Sequence, residues 1–145
     1  MGRADSSYLN NLRLQSRKLR IDKKIHFWGF VSEAKKFQLL SRAHIAINPS
    51  IREGWGLVVI EAAYVGTPTV AFNVPGLRDS IINNKTGIIC AQNTVEDLAE
   101  KILELIEDAK KYKRISRNAA VWGRRFSWEK SAKKSLTLIE NLVNI

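Results

Sequence analysis

Asn48-Pro49-Ser50-Ile51-Arg52-Glu53-Gly54-Trp55-Gly56-Leu57-Val58-Val59-Ile60-Glu61-Ala62-Ala63-Tyr64-Val65-Gly66-Thr67-Pro68 reads as the end of a strand, a loop, a helix and the approach to a second strand. Upstream, His44-Ile45-Ala46-Ile47-Asn48 has the short apolar run of a buried strand, and Pro49, which cannot donate to a ladder, closes it. From Gly56 to Val65 the residues are apolar except for Glu61, and Gly66 suits the left-handed position just past a helix end. Pro68 then opens Thr69-Val70-Ala71-Phe72, another apolar strand. Strands joined by such a crossover run parallel, and continuous apolar strands of this kind are buried by helices on both faces.

The flanking sequence continues the alternation. Tyr8, Leu9, Leu12 and Leu19 recur at near-helical spacing and predict an opening amphipathic helix ending near Arg20. Ile25-His26-Phe27-Trp28, stopped by Gly29, predicts a strand, and Ser32 is placed to cap a helix carrying Phe37, Leu39 and Leu40. After the Thr69 strand come a short helix near Arg78 to Ile82, a turn at Asn84-Lys85-Thr86-Gly87 and the strand Ile88-Ile89-Cys90. Thr94 and Asp97 have the spacing of a capping box, ahead of a helix whose apolar face is Leu98, Ile102, Leu105 and Ile106. Two further helices follow, the last starting after Ser127 with Trp128, Ala132, Leu136, Ile139 and Val143 on one face. The fold class is α/β, a Rossmann-like parallel sheet with helices on both faces. No repeat, low-complexity tract or Pro/Gly/Ser linker interrupts it, so residues 1–145 are read as one domain.

Composition narrows the function. With 145 residues, 45% hydrophobic and 26% charged, the chain has the makings of a core, and disordered or collagen-like classes are excluded. The longest apolar stretch, Gly54 to Val65, contains Glu61 and is too short to cross a bilayer, and the N-terminus lacks a signal-peptide pattern, so a cytoplasmic location is expected. The single cysteine, Cys90, has no thiol partner and is expected to be a small buried residue. The formal net charge of +10 resides in the flanks, in Arg13, Arg17, Lys18, Arg20, Lys23 and Lys24 and again from Lys110 to Lys134. Between Ile45 and Val95, Arg52, Arg78 and Lys85 are balanced by Glu53, Glu61 and Asp79. A solvated surface is the simplest account of basic flanks. An anionic membrane surface, at the inner face, is the next, ahead of nucleic acid, because no aromatic stacking platform is interleaved with the charges.

In a parallel α/β sheet, ligands bind where a loop leaves a strand's carboxyl end and opens a helix, because amides there are unpaired and the helix dipole favours an anion. Here that loop holds Gly54 and Gly56, which let a phosphate approach the backbone from Gly54 through Leu57. Gly-x-Gly alone is common in turns. Glu61 is more informative, since a carboxylate in an apolar helix must be given donors. The hydroxyls of a bound ribose would serve, and so would a basic side chain or the amides of a neighbouring loop. Both readings stay open. Glu53 lies beside the helix N-terminus, where it either caps or faces a ligand.

At these residues the sequence resembles the C-terminal domain of GT-B glycosyltransferases of family 4, a retaining group. The family's PSxxEGxGLxxxEAxxxGTPxV pattern is matched from Pro49 through Val70, including its pair of glutamates, here Glu53 and Glu61. Phe27-Trp28-Gly29-Phe30-Val31, Pro75-Gly76-Leu77-Arg78-Asp79, Thr86-Gly87-Ile88-Ile89 and Phe126-Ser127-Trp128-Glu129 extend the likeness over almost the whole chain. The resemblance implies a nucleotide-sugar donor as substrate. Glu53 would contact the transferred sugar, Glu61 the ribose, and the loop at Gly54, Trp55, Gly56 and Leu57 the diphosphate. Backbone near Gly29, Phe30 and Val31 would accept the base. It also implies transfer with retention and no metal cofactor, the leaving diphosphate being neutralised by positive groups and the helix dipole.

The departures from the family pattern set further expectations. Family domains open with a strand bearing a Gly-Arg segment and, later, a Lys that grip the phosphates, whereas Gly2-Arg3 here resembles the end of the second strand. The usual phosphate cations are thus expected to be missing, along with the first strand or two of the sheet. Arg52 and Arg78 are candidate substitutes, with a solvated or structural role the simpler reading of each. The N-terminal acceptor-binding domain is a missing partner. The sheet is expected to pair unusually, to swap strands in a homodimer, or to belong to a longer polypeptide, and the chain alone is expected to transfer nothing. The competing reading is a non-catalytic interaction or anion-binding module derived from such a domain. His26 and His44 are read as core or strand-edge residues, and Trp28, Trp55, Trp122 and Trp128 as packing residues, with Trp55 also placed to flank a sugar.

Overall fold

Three short apolar segments pair in parallel: β1 (Ala46–Asn48), β2 (Thr69–Ala71) and β3 (Gly87–Ile89), in the order β1-β2-β3. The computed structural model describes residues 6–143. Ile47 is in register with Val70, and Val70 with Ile88. Because successive strand residues point to opposite faces, the sheet divides its side chains between two layers. Val70, Ile88, Phe72 and Cys90 pack with Leu105 of α5 (Val95–Glu107) and Ile115 of α6 (Ala109–Gly123). Ala71 and Ile89 pack with Val59 of α3 (Leu57–Tyr64), Leu77 of α4 (Pro75–Ser80), and Val74 and Ile81 beside it. The expected α/β arrangement is therefore present, and Cys90 is buried as expected.

The contacts separate the chain into two units, the first running to Lys36 and the second from Phe37. The first holds α1 (Ser6–Lys18), a 3₁₀ turn at Asp22–Lys24 and the start of α2 (Glu33–Arg42). Ser32 caps α2 as expected, its Oγ accepting from the Lys35 amide at 3.3 Å. The strand expected at Ile25-His26-Phe27-Trp28 does not form. Ile25 is extended (φ −110°, ψ 127°), but an extended segment becomes a strand only when a neighbour supplies a ladder. Its aromatic rings meet cations instead, with Arg13 5.9 Å from the Phe27 ring centre and Lys35 4.9 Å from that of Trp28. Gly2-Arg3 lies outside the described residues.

Several expected details shift in the second unit. Among the described residues β1 is the outer strand rather than a buried one, and with a strand neighbour on one side only it leaves Ile47 52% exposed. His44 is exposed just ahead of it, and its carbonyl accepts from the Tyr112 hydroxyl at 2.9 Å. The short helix starts at Pro75, earlier than Arg78, because proline's fixed φ favours the first helical position. At α5, Thr94 Oγ1 accepts from the Asp97 amide at 3.2 Å, while the Asp97 carboxylate takes the Gln92 amide at 2.6 Å instead of completing the box. Leu105 is fully buried but Ile106 is exposed. The final helix, α7 (Trp128–Val143), has no buried residue among those described, so Trp128, at 78% exposure, is not a packing residue here.

Candidate functional site

The loop from Pro49 to Gly56 leaves the carboxyl end of β1 and turns at once, the Asn48 Oδ1 accepting from the Ser50 amide at 3.1 Å. Glu53 is half-buried, with Oε1 accepting from the Gly54 amide at 3.2 Å. Gly56 is the N-cap of α3 in the left-handed region (φ 74°, ψ 52°), a conformation that a Cβ disfavours. A Cβ there would also come within 2.9 Å of Leu77 Cδ2 and 3.1 Å of Ser80 Oγ. At Gly54 a Cβ would meet nothing within 4 Å. The two glycines thus have separate tasks, one shaping the entry to the helix and one keeping the approach to the loop open.

The Val59 and Ile60 amides donate to the Gly56 carbonyl at 2.9 and 3.3 Å. The Leu57 and Val58 amides are those that a helix presents to outside acceptors at its positive end. Glu61 lies one turn further on, three and four residues from Val58 and Leu57, and therefore on their face. That face is open, with Leu57 and Val58 exposed, whereas Val59, Ile60, Ala62 and Ala63 form the core face. Glu61 sits at the boundary, half-buried with its Oε2 taken out of solvent. α3 is thus not buried all round; Leu57 and Val58 at its positive end are exposed, and Glu61 lies one turn from them at the edge of the core.

Glu53, Gly54, Trp55, Gly56, Leu57 and Glu61 are accordingly brought together on a single loop–helix element. Gly29, Phe30 and Val31 belong to the first unit, where Gly29 has φ 60°, Phe30 is exposed and Val31 is half-buried. Arg52 is exposed, and Arg78 donates to Asn73 Oδ1 at 3.0 Å, a local contact that agrees with a structural role. Trp55 packs edge to face on Phe126, with ring centres 5.6 Å apart. A cavity of about 800 Å³ lined by Trp122, Arg125, Phe126, Lys130, Lys133 and Lys134 lies between α6 and α7, and neither glutamate borders it.

What supports the loop was not visible in the sequence. A Cβ at Gly76 would overlap the Glu53 carbonyl and lie 2.6 Å from the Gly54 carbonyl carbon, so α4 forms the floor beneath the loop. Gly123 abuts the Ala63–Tyr64 backbone equally closely, letting α6 clamp the far end of α3. The Pro75-Gly76 pair was the available signal, but it gave no hint of which peptide it would underlie.

Residues 1–122 match the family described as glycosyl transferases group 1. Glycogen synthase of Mycobacterium tuberculosis is 38% identical over 105 residues, 72% of this chain and 25% of that protein. D-inositol 3-phosphate glycosyltransferase 2 of Catenulispora acidiphila is 30% identical over 131 residues, 90% of this chain and 30% of that protein. Among solved structures, sucrose-phosphate synthase of Thermosynechococcus elongatus superposes with a TM-score of 0.88 at 25% identity, over 98% of this chain and 36% of that one. The Anabaena protein HepE, solved with UDP and glucose, gives 0.81 at 25% identity over 96% of this chain and 37% of that one. The chain therefore spans between a quarter and two fifths of the length of these relatives. By the extent of these matches and the loop–helix element they include, the chain belongs to the glycosyl transferases group 1 family.

Proposed function

We propose that the chain is the donor-binding part of a retaining glycosyltransferase of family 4, holding a nucleotide-sugar for transfer to an acceptor bound by another part of the enzyme. The observation that carries this reading is the start of α3, where Glu61 stands one turn from the Leu57 and Val58 amides and Leu57 and Val58 are exposed. A carboxylate suits a ribose diol, and a helix N-terminus suits the adjoining diphosphate, so one nucleoside diphosphate can satisfy both. HepE, a structural relative, was solved with UDP and glucose. Glu53, at the mouth of the same loop, faces the sugar. The helix end meets the diphosphate charge without a divalent cation.

Calorimetry with UDP, GDP and ADP tests the proposal. One of them binds the 145-residue chain, binding survives EDTA, and Glu61→Gln weakens it about tenfold, in line with the loss of a charged hydrogen-bond acceptor. No binding by any of the three would sink it.

A further inference from the structure

The loop that carries Glu53 has little of its own to hold it in place. It contains two glycines, which lose more conformational freedom on ordering than any other residue, and Gly54 has open space where a side chain would be. Gly76 supports it from below. On its side, the ring contact is made by Trp55 with Phe126 at 5.6 Å and an interplanar angle of 65°.

Phe126 is itself held. Its ring stands edge to face on Trp122 at 5.0 Å, and its amide donates to the Gly123 carbonyl at 3.2 Å, in the turn that follows α6. Trp122 donates Nε1–H to the Ser80 carbonyl at 2.9 Å, and Ser80 is the last residue of α4, the helix whose Gly76 lies under the loop. The contacts close a circuit: loop to Phe126, to Trp122, to the end of α4, and from the start of α4 back to the loop. Edge-to-face pairs of this kind are favourable beyond the area they bury, and they fix ring orientation.

We infer that Phe126, backed by Trp122, is a positioning residue for the loop that carries Glu53, acting through Trp55. It touches no substrate. Its effect is to hold the Gly54–Leu57 amides in the arrangement that receives a diphosphate, while the ribose contact at Glu61, anchored in α3, does not depend on it. The inference rests on the donor-site reading for its ligand and on the aromatic circuit for its mechanism, and each can fail separately.

The full 145-residue chain is compared with Phe126→Leu, Phe126→Tyr and, from the loop side, Trp55→Leu. Hydrogen exchange at the Val59 and Ile60 amides, which donate to the loop's Gly56 carbonyl, speeds up about tenfold in Phe126→Leu and Trp55→Leu, a change of about 1.4 kcal/mol in local opening, while β2 and β3 exchange as before. UDP affinity falls about tenfold in Phe126→Leu and uridine affinity by less than about twofold. Phe126→Tyr restores both, because it keeps the ring. Unchanged loop exchange, exchange raised equally throughout β2 and β3, or equal weakening of UDP and uridine would each overturn the inference. Should Phe126→Leu fail to fold, Trp55→Leu carries the exchange measurement alone. If the unaltered chain binds none of UDP, GDP and ADP, the donor-site reading falls, and loop exchange still decides whether Phe126 positions the loop.

Discussion

Gly76, the second residue of α4, lies directly against the carbonyl of Glu53, with no space between them for a Cβ. The loop that bears the first glutamate is thus seated on a glycine twenty-three positions further along the chain. Gly76→Ala must lift that loop or displace α4. We expect a loss of about 1–3 kcal/mol in stability, as for other overpacked sites, together with weakened nucleotide binding. Thermal melting and UDP calorimetry on the same preparation check both, and an alanine variant as stable and as tight as the parent would refute the seating.

The loop's own glycines are expected to respond differently from each other. Gly56→Ala puts a Cβ at φ 74° and within 2.9 Å of Leu77 Cδ2, and should cost at least about 1–2 kcal/mol. Gly54→Ala has open space and should change stability by less than about 0.5 kcal/mol, yet on the proposed donor site it places a methyl group beside the diphosphate and should weaken UDP binding. Equal denaturation midpoints for the two variants would contradict this division of labour.

The two glutamates should separate by ligand. Glu61→Gln is expected to weaken uridine and UDP alike, since both carry the ribose. Glu53→Gln should leave both nearly unchanged and reduce only the added affinity of a UDP-sugar over UDP. Competition titrations with the three ligands distinguish the variants, and a Glu53→Gln chain that loses uridine would show that the assignment is reversed.

Cys90 sits in the sheet core, and its burial, followed by the nearby Asp97 carboxylate, pushes its thiol above the ordinary value of 9.0. A raised thiol pKa means that the folded state resists losing this proton, so the contribution to stability is complete below that value and declines as the pH rises through the folded-state value. The native chain should therefore react with Ellman's reagent only as fast as it opens, and denaturant midpoints should fall in strongly alkaline buffer by less in Cys90→Ala than in the parent. Rapid labelling of the folded chain at pH 8 would contradict the burial argument.

Much of the fold was legible because its signals are local. The runs around Ile47, Val70 and Ile88 are short, apolar and bounded by turn residues, as the strands of a parallel sheet are, and the proline and glycines between them mark where regular structure stops. Ser32, Thr94 and Ser127 cap helices with hydroxyls that reach amides three residues away, a relation contained within a single turn. The spacing of Glu53 and Glu61 places one in the loop and the other in the helix it opens.

The tertiary structure decided what depends on distant neighbours. Ile25-His26-Phe27-Trp28 has the composition of a strand and no ladder, and β1 is an edge because of which strands stand beside it. Gly76 beneath Glu53 and Phe126 against Trp55 join residues far apart in sequence, through contacts that no periodicity encodes. Local spacing sets the conformation that a segment prefers, and packing sets which surface it meets. The sequence by itself therefore determined the loop, the helix and the two carboxylates, and only the fold determined what holds them in place.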